Sequence, residues 1–248
     1  MKQLRYITGI LLFLFTSSLY ALDNEKLEHR IVAGFNFGAS APTSMPQEIR
    51  KIEAWWPQFA TQLGYNIIYH PNNRWGVGSG ILLDYKGMGT KVRAKYVHTR
   101  VEYEGDILTG YFVGMNKTEV KASYVTVPVF AMYKINEKWR VRAGGYAAYA
   151  FSTSFRGDVY DGYLRVDDPT GEKIEFEKGG NKASFDFSDD VRTFDFGLLL
   201  GGEMKVNHKF NIYGNLSWGL RPIFSKEKRV MDFNMYNIYF ALGLAYNL

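Results

Sequence analysis

Met235-Tyr236-Asn237-Ile238-Tyr239-Phe240-Ala241-Leu242-Gly243-Leu244-Ala245-Tyr246-Asn247-Leu248 closes the chain in near-strict alternation. Ile238, Phe240, Leu242, Leu244, Tyr246 and Leu248 share one face of an extended strand, and Asn237, Tyr239, Ala241, Gly243, Ala245 and Asn247 share the other. A period of two predicts a β-strand with one greasy face. In a soluble sheet that face meets a second sheet or a helix. In a transmembrane barrel it meets lipid, and the small or polar face lines a narrow interior.

Working back from this segment, seven more alternating stretches cover about 30–38, 60–70, 75–86, 123–135, 139–152, 192–206 and 210–221. The connections between them alternate in length. Long ones run over about 39–59, 87–122, 153–191 and 222–235; short ones are Pro71–Arg74, Asn136–Lys138 and Asn207–Lys209. Short turns on one side and long loops on the other are the habit of outer-membrane barrels. The expectation is an all-β protein: a closed antiparallel transmembrane barrel of eight strands, with short periplasmic turns, four long extracellular loops and both termini periplasmic. Trp75 and Trp139 directly follow short turns, where an interfacial aromatic girdle belongs. Pro128 sits inside the fourth strand without a ladder donor, which predicts a local bulge or kink.

Lys2 and Arg5 precede an apolar run from Ile7 to Phe15, and Ala21 suits the last position of a leader. This predicts a signal peptide over residues 1–21 and one barrel domain over 22–248. Without Lys2 and Arg5 the formal charge falls from +5 to +3, too mild for a nucleic-acid footprint. The chain has no cysteine, which excludes disulfides, thiolate metal sites and a lipid-anchored cysteine. Aromatic residues make up 17% and glycines number 25, a composition that suits a β-rich membrane protein. No cofactor or metal ligand set is expected. The partners expected are outer-membrane lipid, the barrel-insertion machinery, and an envelope or extracellular partner reached through the long loops. The protein is expected to be a monomer.

An eight-stranded barrel is filled by its own side chains, so interior charges must pair. A three-residue turn centred on His208 sets Asp195 opposite Arg221. Depth from the short turns brings Glu203 near Arg142, and Asp84 near Lys86 or Arg221. The expected interior network is Asp84, Arg142, Asp195, Glu203 and Arg221. For surface contacts the candidates are Trp55 and Trp56 in the first loop, and Tyr160, Tyr163 and Phe176 in the third. The third loop also carries an acidic run, Asp158, Asp161, Asp167, Asp168, Glu172, Glu175 and Glu177, without calcium-loop spacing and interleaved with Arg156, Arg165, Lys173 and Lys178.

Gly76-Val77-Gly78-Ser79-Gly80 has the look of a nucleotide loop but no following helix; its glycines fall on one side of a strand. The four histidines, His29, His70, His98 and His208, are scattered. Two other function classes stand beside the structural one. A small pore requires more strands, and Lys91–Glu104 and Leu108–Lys121 alternate weakly. A hydrolase or acyltransferase requires a rim serine (Ser123, Ser152 or Ser154) beside His98, with Asp106 or Asp158. The expectation is a non-enzymatic protein.

Ser123-Tyr124-Val125-Thr126-Val127-Pro128-Val129-Phe130-Ala131-Met132-Tyr133-Lys134, the following strand from Trp139 to Tyr149, and the last three strands (Phe194 to Glu203, Ile212 to Leu220, Ile238 to Leu248) resemble the PorT-like outer-membrane β-barrel proteins of the Bacteroidetes. The resemblance spans roughly residues 30–248. Gly145 stands where the family usually has proline, and Leu248 where an aromatic commonly ends the chain. The resemblance implies the outer membrane of a Gram-negative bacterium and a closed antiparallel barrel; it implies function poorly, its founding member being tied to protein secretion while most relatives have no assigned role. The role expected of this chain is structural or surface-binding, assisting envelope assembly or protein secretion.

Overall fold

The computed structural model describes residues 26–176, 180–225 and 233–248. The expected leader over 1–21 lies outside them, as do Glu177 and Lys178 of the charged run. The described strands are β1 (Leu27–Ala41), β2 (Ile49–Pro57), β3 (Thr61–Tyr69), β4 (Trp75–Tyr103), β5 (Asp106–Lys134), β6 (Trp139–Val166), β7 (Lys173–Phe176), β8 (Ala183–Asp186), β9 (Phe194–Lys205), β10 (Phe210–Gly219) and β11 (Tyr236–Asn247). Eight of them close a ring in the order β1, β3, β4, β5, β6, β9, β10, β11 and back to β1, with every pairing antiparallel. Closure leaves the ring no free edge, so its backbone donors and acceptors are paired without water.

Faces follow from parity. Leu198, Leu216 and Leu242 point outward and are 56%, 39% and 48% exposed, so they belong to an outer belt and not to a core. Their neighbours Gly197, Asn215 and Ala241 point inward. Tyr213 fills the centre because Gly34 lets it: a Cβ on Gly34 would sit 2.7 Å from the Tyr213 hydroxyl. On the outer face, the ring of Phe240 covers Gly214.

The short turns share one device. Asn72 Oδ1 accepts the amides of Arg74 and Trp75, Asn136 Oδ1 those of Lys138 and Trp139, and Asn207 Oδ1 those of Lys209 and Phe210, all at 2.8–2.9 Å. Asparagine thus bends the chain with its own side chain. Each turn reads Asn, any residue, a cation, then an aromatic, which places Trp75, Trp139 and Phe210 at one level of the belt. Trp75 packs on Tyr133 (centroids 4.9 Å apart) and Phe210 on Tyr246 (5.1 Å).

Two expectations need correcting. The segment 87–122 is not a loop and adds no ring strands: β4 and β5 continue as one hairpin to a turn at Glu104 and Gly105, whose φ values are 54° and 93°. Both central residues with positive φ give the turn whose twist matches the flanking strands. Pro128 produces no bulge. The β4–β5 register is the same on both sides of it, from Ser79 opposite Val129 to Leu82 opposite Thr126, and Ser79 Oγ donates to the Pro128 carbonyl at 2.8 Å.

β4, β5 and β6 therefore rise well beyond the belt, and β2 extends alongside β4. The third long segment folds back onto them. β7 pairs with β6, and β8 bridges β6 and β4, enclosing an apolar core around Val101, Phe112, Phe155, Leu164, Phe185 and Phe224. A short 3₁₀ turn over Ser188–Asp190 follows β8. Partial burial raises the Asp186 carboxyl, but the Ser188 hydroxyl and amide, then Arg156 at 2.7 Å, outweigh it and hold it below the usual carboxylate range.

Candidate functional site

The interior is stratified. At the short-turn mouth, Arg30 donates to Glu203 (2.6 Å) and to Glu28 (2.6 and 2.8 Å). Glu28 also meets His70 (2.7 Å) and Arg140 (3.2 Å). Arg142 stands 3.9 Å from Glu203, close enough for attraction but not for a hydrogen bond. Arg30 and Glu203 are 1% and 2% exposed, so this cluster stoppers the barrel from within.

Higher up, Asp84 accepts from Asn36 (2.7 Å) and Gln62 (3.0 Å), with Lys86 Nζ at 3.7 Å. Lys86 points into three tyrosine rings, those of Tyr124 and Tyr146 at 5.1 Å and Tyr239 at 5.6 Å. Cation–π attraction replaces part of its lost hydration. Asp195 accepts from Tyr146 (3.0 Å) and Asn237 (2.9 Å). Between the two layers a cavity beside Gln62, Arg142 and Tyr213 is about 10 Å³, room for about one water. Side chains fill the barrel at this level. Asp195→Ala is expected to destabilise the fold by about 1–3 kcal/mol, by stranding the Tyr146 hydroxyl and the Asn237 amide. Planar-bilayer recordings should show no open-channel current for either protein; a steady current through the parent chain would contradict the plugged interior.

Of the expected network, Asp84, Arg142, Asp195 and Glu203 are interior and buried, but Arg221 is not among them. The β9–β10 ladder follows the expected register about His208 and ends with Gly197 opposite Gly219. Arg221 lies past that end, where it donates to the Phe194 carbonyl at 3.4 Å. Phe176 also needs correcting. It is buried at 2% exposure against Tyr103 and Phe112, not offered to solvent. Tyr160 is capped by Lys91 and Lys182, and Tyr163 by Lys173 and Arg165. The serine–histidine constellation is not assembled: His98 packs on Tyr111, thirteen residues up β4 from Tyr85, which faces Ser123, so roughly 40 Å separates them at strand rise.

Arg30, Glu28, His70 and Arg140 were not assigned from the sequence. The available signal was parity: Arg30 shares the inward face with Val32 and Gly34.

Trp55 and Trp56 lie on β2 and part company. Trp56 rests over Gly89, with Lys117 Nζ 5.8 Å from its ring. Trp55 is 46% exposed and lines a cleft of about 270 Å³ beyond the belt, between the end of β1, β2, the inward faces of β4 and β5, and Phe155, Phe233 and Met235. No helix among the described residues is long and apolar enough to cross a membrane, and no group of three or more possible metal ligands occurs among them.

A model of the outer membrane protein beta-barrel domain matches residues 21–225. Comparison with curated proteins gives no match. Among solved structures, Ail, the attachment invasion locus protein of Yersinia pestis, aligns at 13% identity with a TM-score of 0.34, over 90% of this chain and 97% of that one. The structure of Ail in complex with the heparin analogue sucrose octasulfate aligns at 15% identity with a TM-score of 0.32, over the same shares.

Proposed function

The chain belongs to the outer membrane protein beta-barrel domain family, and on that premise we propose that it is a non-enzymatic surface-binding protein whose barrel anchors a recognition platform outside the cell. The observation that carries this reading is the outer extension. β4, β5 and β6 continue past the belt into a sheet with its own apolar core, pinned by β7 and β8. A barrel that only sealed itself would need none of it. An ordered platform binds without the entropy cost of ordering loops. The plugged interior supports binding over transport. In this reading both termini are periplasmic, residues 1–21 are a removed leader, and the platform serves envelope assembly or secretion.

Ile107, 72% exposed beside the hairpin tip, and Asn73, in a short turn, test it. The chain lacks cysteine, so single cysteines report cleanly. A membrane-impermeant maleimide should label Ile107→Cys on intact cells, and Asn73→Cys only after the outer membrane is permeabilised. A photo-crosslinker at Ile107 should capture a macromolecular partner on living cells. Capture only from Asn73, or reversed labelling, would overturn the reading.

A further inference from the structure

We propose that the outward face of β2, β4 and β5, just beyond the belt, docks the phosphorylated sugar headgroup of an outer-leaflet glycolipid. This rests on the outward orientation proposed above. The surface is set by parity. On β4, Met88, Thr90, Val92 and Ala94 line the cleft beside Trp55, so Gly89, Lys91, Arg93 and Lys95 point the other way. The ladder adds Lys51 opposite Arg93, Lys117 opposite Lys91, and Lys121 opposite Gly87. Six cations thus share this face with two acids, Glu53 and Glu119. Glu53 holds Lys51 and Arg93 (2.8 and 3.5 Å), and Glu119 holds Lys117 (3.2 Å). Among the described residues no carboxylate pairs with Lys91, Lys95 or Lys121. Lys91 and Lys117 face each other directly across the ladder, a like-charge pair that destabilises a bare sheet. On β6, Asp158 stands opposite Lys117 and Arg156 opposite Glu119, which adds no net charge.

Three observations choose the occupant. First, the cationic strip starts at the belt and is tall. Lys121 lies two residues beyond Ser123, which faces Tyr85, and Tyr85 packs on Phe151 at the outer end of the belt with ring centroids 6.4 Å apart. From Gly87, opposite Lys121, the strip runs eight residues up β4 to Lys95. That is about 26 Å at strand rise, and about 20 Å along the membrane normal at a barrel tilt of about 40°. A phospholipid headgroup layer is only about 5–7 Å deep, whereas a phosphorylated oligosaccharide carried on a lipid meets the whole strip. Second, the strip holds an aromatic platform. Trp56 stands opposite Gly89, and its indole lies where a side chain on Gly89 would be: a Cβ there would sit 2.0 Å from Trp56 Cε2. Lys117 Nζ is 5.8 Å from that ring. An indole held against the strand offers an electron-rich face to the C–H side of a sugar ring, while the lysines and Arg93 around it take phosphate. Third, the sign reverses at the far tip. There Glu102, Glu104, Asp106, Asp167, Asp168 and Glu172 outnumber Arg100, Arg165 and Lys173. Glu102 lies seven residues beyond Lys95 on β4, about 23 Å at strand rise and well over a Debye length of about 8 Å. Cationic beside the membrane and anionic far from it, this extension suits an anion confined to the membrane surface; a soluble polyanion has no such confinement.

The test uses the full chain in phosphatidylcholine nanodiscs, titrated calorimetrically with deacylated lipopolysaccharide, which keeps the phosphorylated sugars without the lipid tails. The parent should bind it about tenfold more tightly than the same oligosaccharide stripped of phosphate, and Lys91→Glu combined with Lys117→Glu should lose about tenfold. Lys121→Glu, a single change at the belt edge, should lose about threefold. Trp56→Ala should weaken the oligosaccharide several-fold and leave inorganic tripolyphosphate unchanged. Arg165→Glu combined with Lys173→Glu, near the tip, should change neither. Every variant compared should keep the heat-modifiable gel band of a folded barrel. No binding by the parent, equal binding by the parent and the folded charge-reversed variants, or an oligosaccharide affinity indifferent to Trp56→Ala would overturn the proposal. So would displacement of the oligosaccharide when phosphatidylglycerol is added to the disc, because the strip would then serve phospholipid. A nanodisc leaves both ends of the barrel accessible, so binding is read whichever end faces out of the cell. Absent binding with the maleimide pattern intact overturns this inference alone, and reversed labelling overturns the reading beneath it.

Discussion

Arg30→Ala is expected to lower the unfolding free energy of the barrel by about 3–5 kcal/mol, the range for removing one partner of a buried ion pair. The reason lies in what is left behind. Glu203 is 2% exposed, and its shortest charge contact is the 2.6 Å bond from Arg30. The remaining cations are at 3.7 Å (Arg140) and 3.9 Å (Arg142), too far for good hydrogen bonds. A carboxylate in that position can neither hydrate nor pair well. Glu28 loses the same partner but is 18% exposed and keeps His70 and Arg140, so Glu28→Gln should cost less than Arg30→Ala. Pairing Arg30→Met with Glu203→Gln should recover much of the loss, because it removes both charges together. Urea titration in lipid vesicles, read by the folded gel band, measures these three variants against the parent. An Arg30→Ala penalty below about 1 kcal/mol, the scale of an exposed pair, would mean that water reaches Glu203.

The ring was legible in the sequence because each of its strands keeps one parity within the belt. Ile238 to Leu248 never departs from it, and neither do the belt parts of β4 and β6. The extension of β4, β5 and β6 beyond the belt was not legible because parity breaks there. On β4 the inward residues are Asp84, Lys86, Met88 and Ala94, then Val97, Thr99 and Val101, with the switch at an irregularity between Lys95 and Val97 where Tyr96 takes φ 60°. On β6 they are Ala148 and Ala150, then Phe155 and Val159, with the switch opposite Ser123 and Tyr124. A pattern read with a fixed period sees two weak segments where one bulged strand runs on. β2, with two such skips in nine residues, looks like a loop for the same reason. The interior partners were partly hidden for another reason. Asp195 finds Tyr146 and Asn237 on β6 and β11. Those meetings depend on the stagger of the closed barrel, which a single hairpin register does not contain. Arg221 matched Asp195 on paper because the count ran past Gly219, where the ladder stops.

Leu200→Arg tests the orientation of the belt directly. Leu200 lies mid-way along β9, six residues after Phe194 and five before Lys205, and is 61% exposed on the outward face. At bilayer mid-depth an outward arginine costs about 2–4 kcal/mol, and near either interface about 0–1. Val206 supplies the control: it is 55% exposed, and it immediately precedes the Asn207 turn at the short-turn end. Val206→Arg should therefore fold into phosphatidylcholine vesicles almost as well as the parent, while Leu200→Arg loses several-fold in folded yield and unfolds at lower urea. The two side chains have similar exposure, so exposure alone predicts equal effects, and only the depth of hydrocarbon separates them. Equal tolerance at both positions would place Leu200 against water, and the outer belt could not then be the surface that meets lipid.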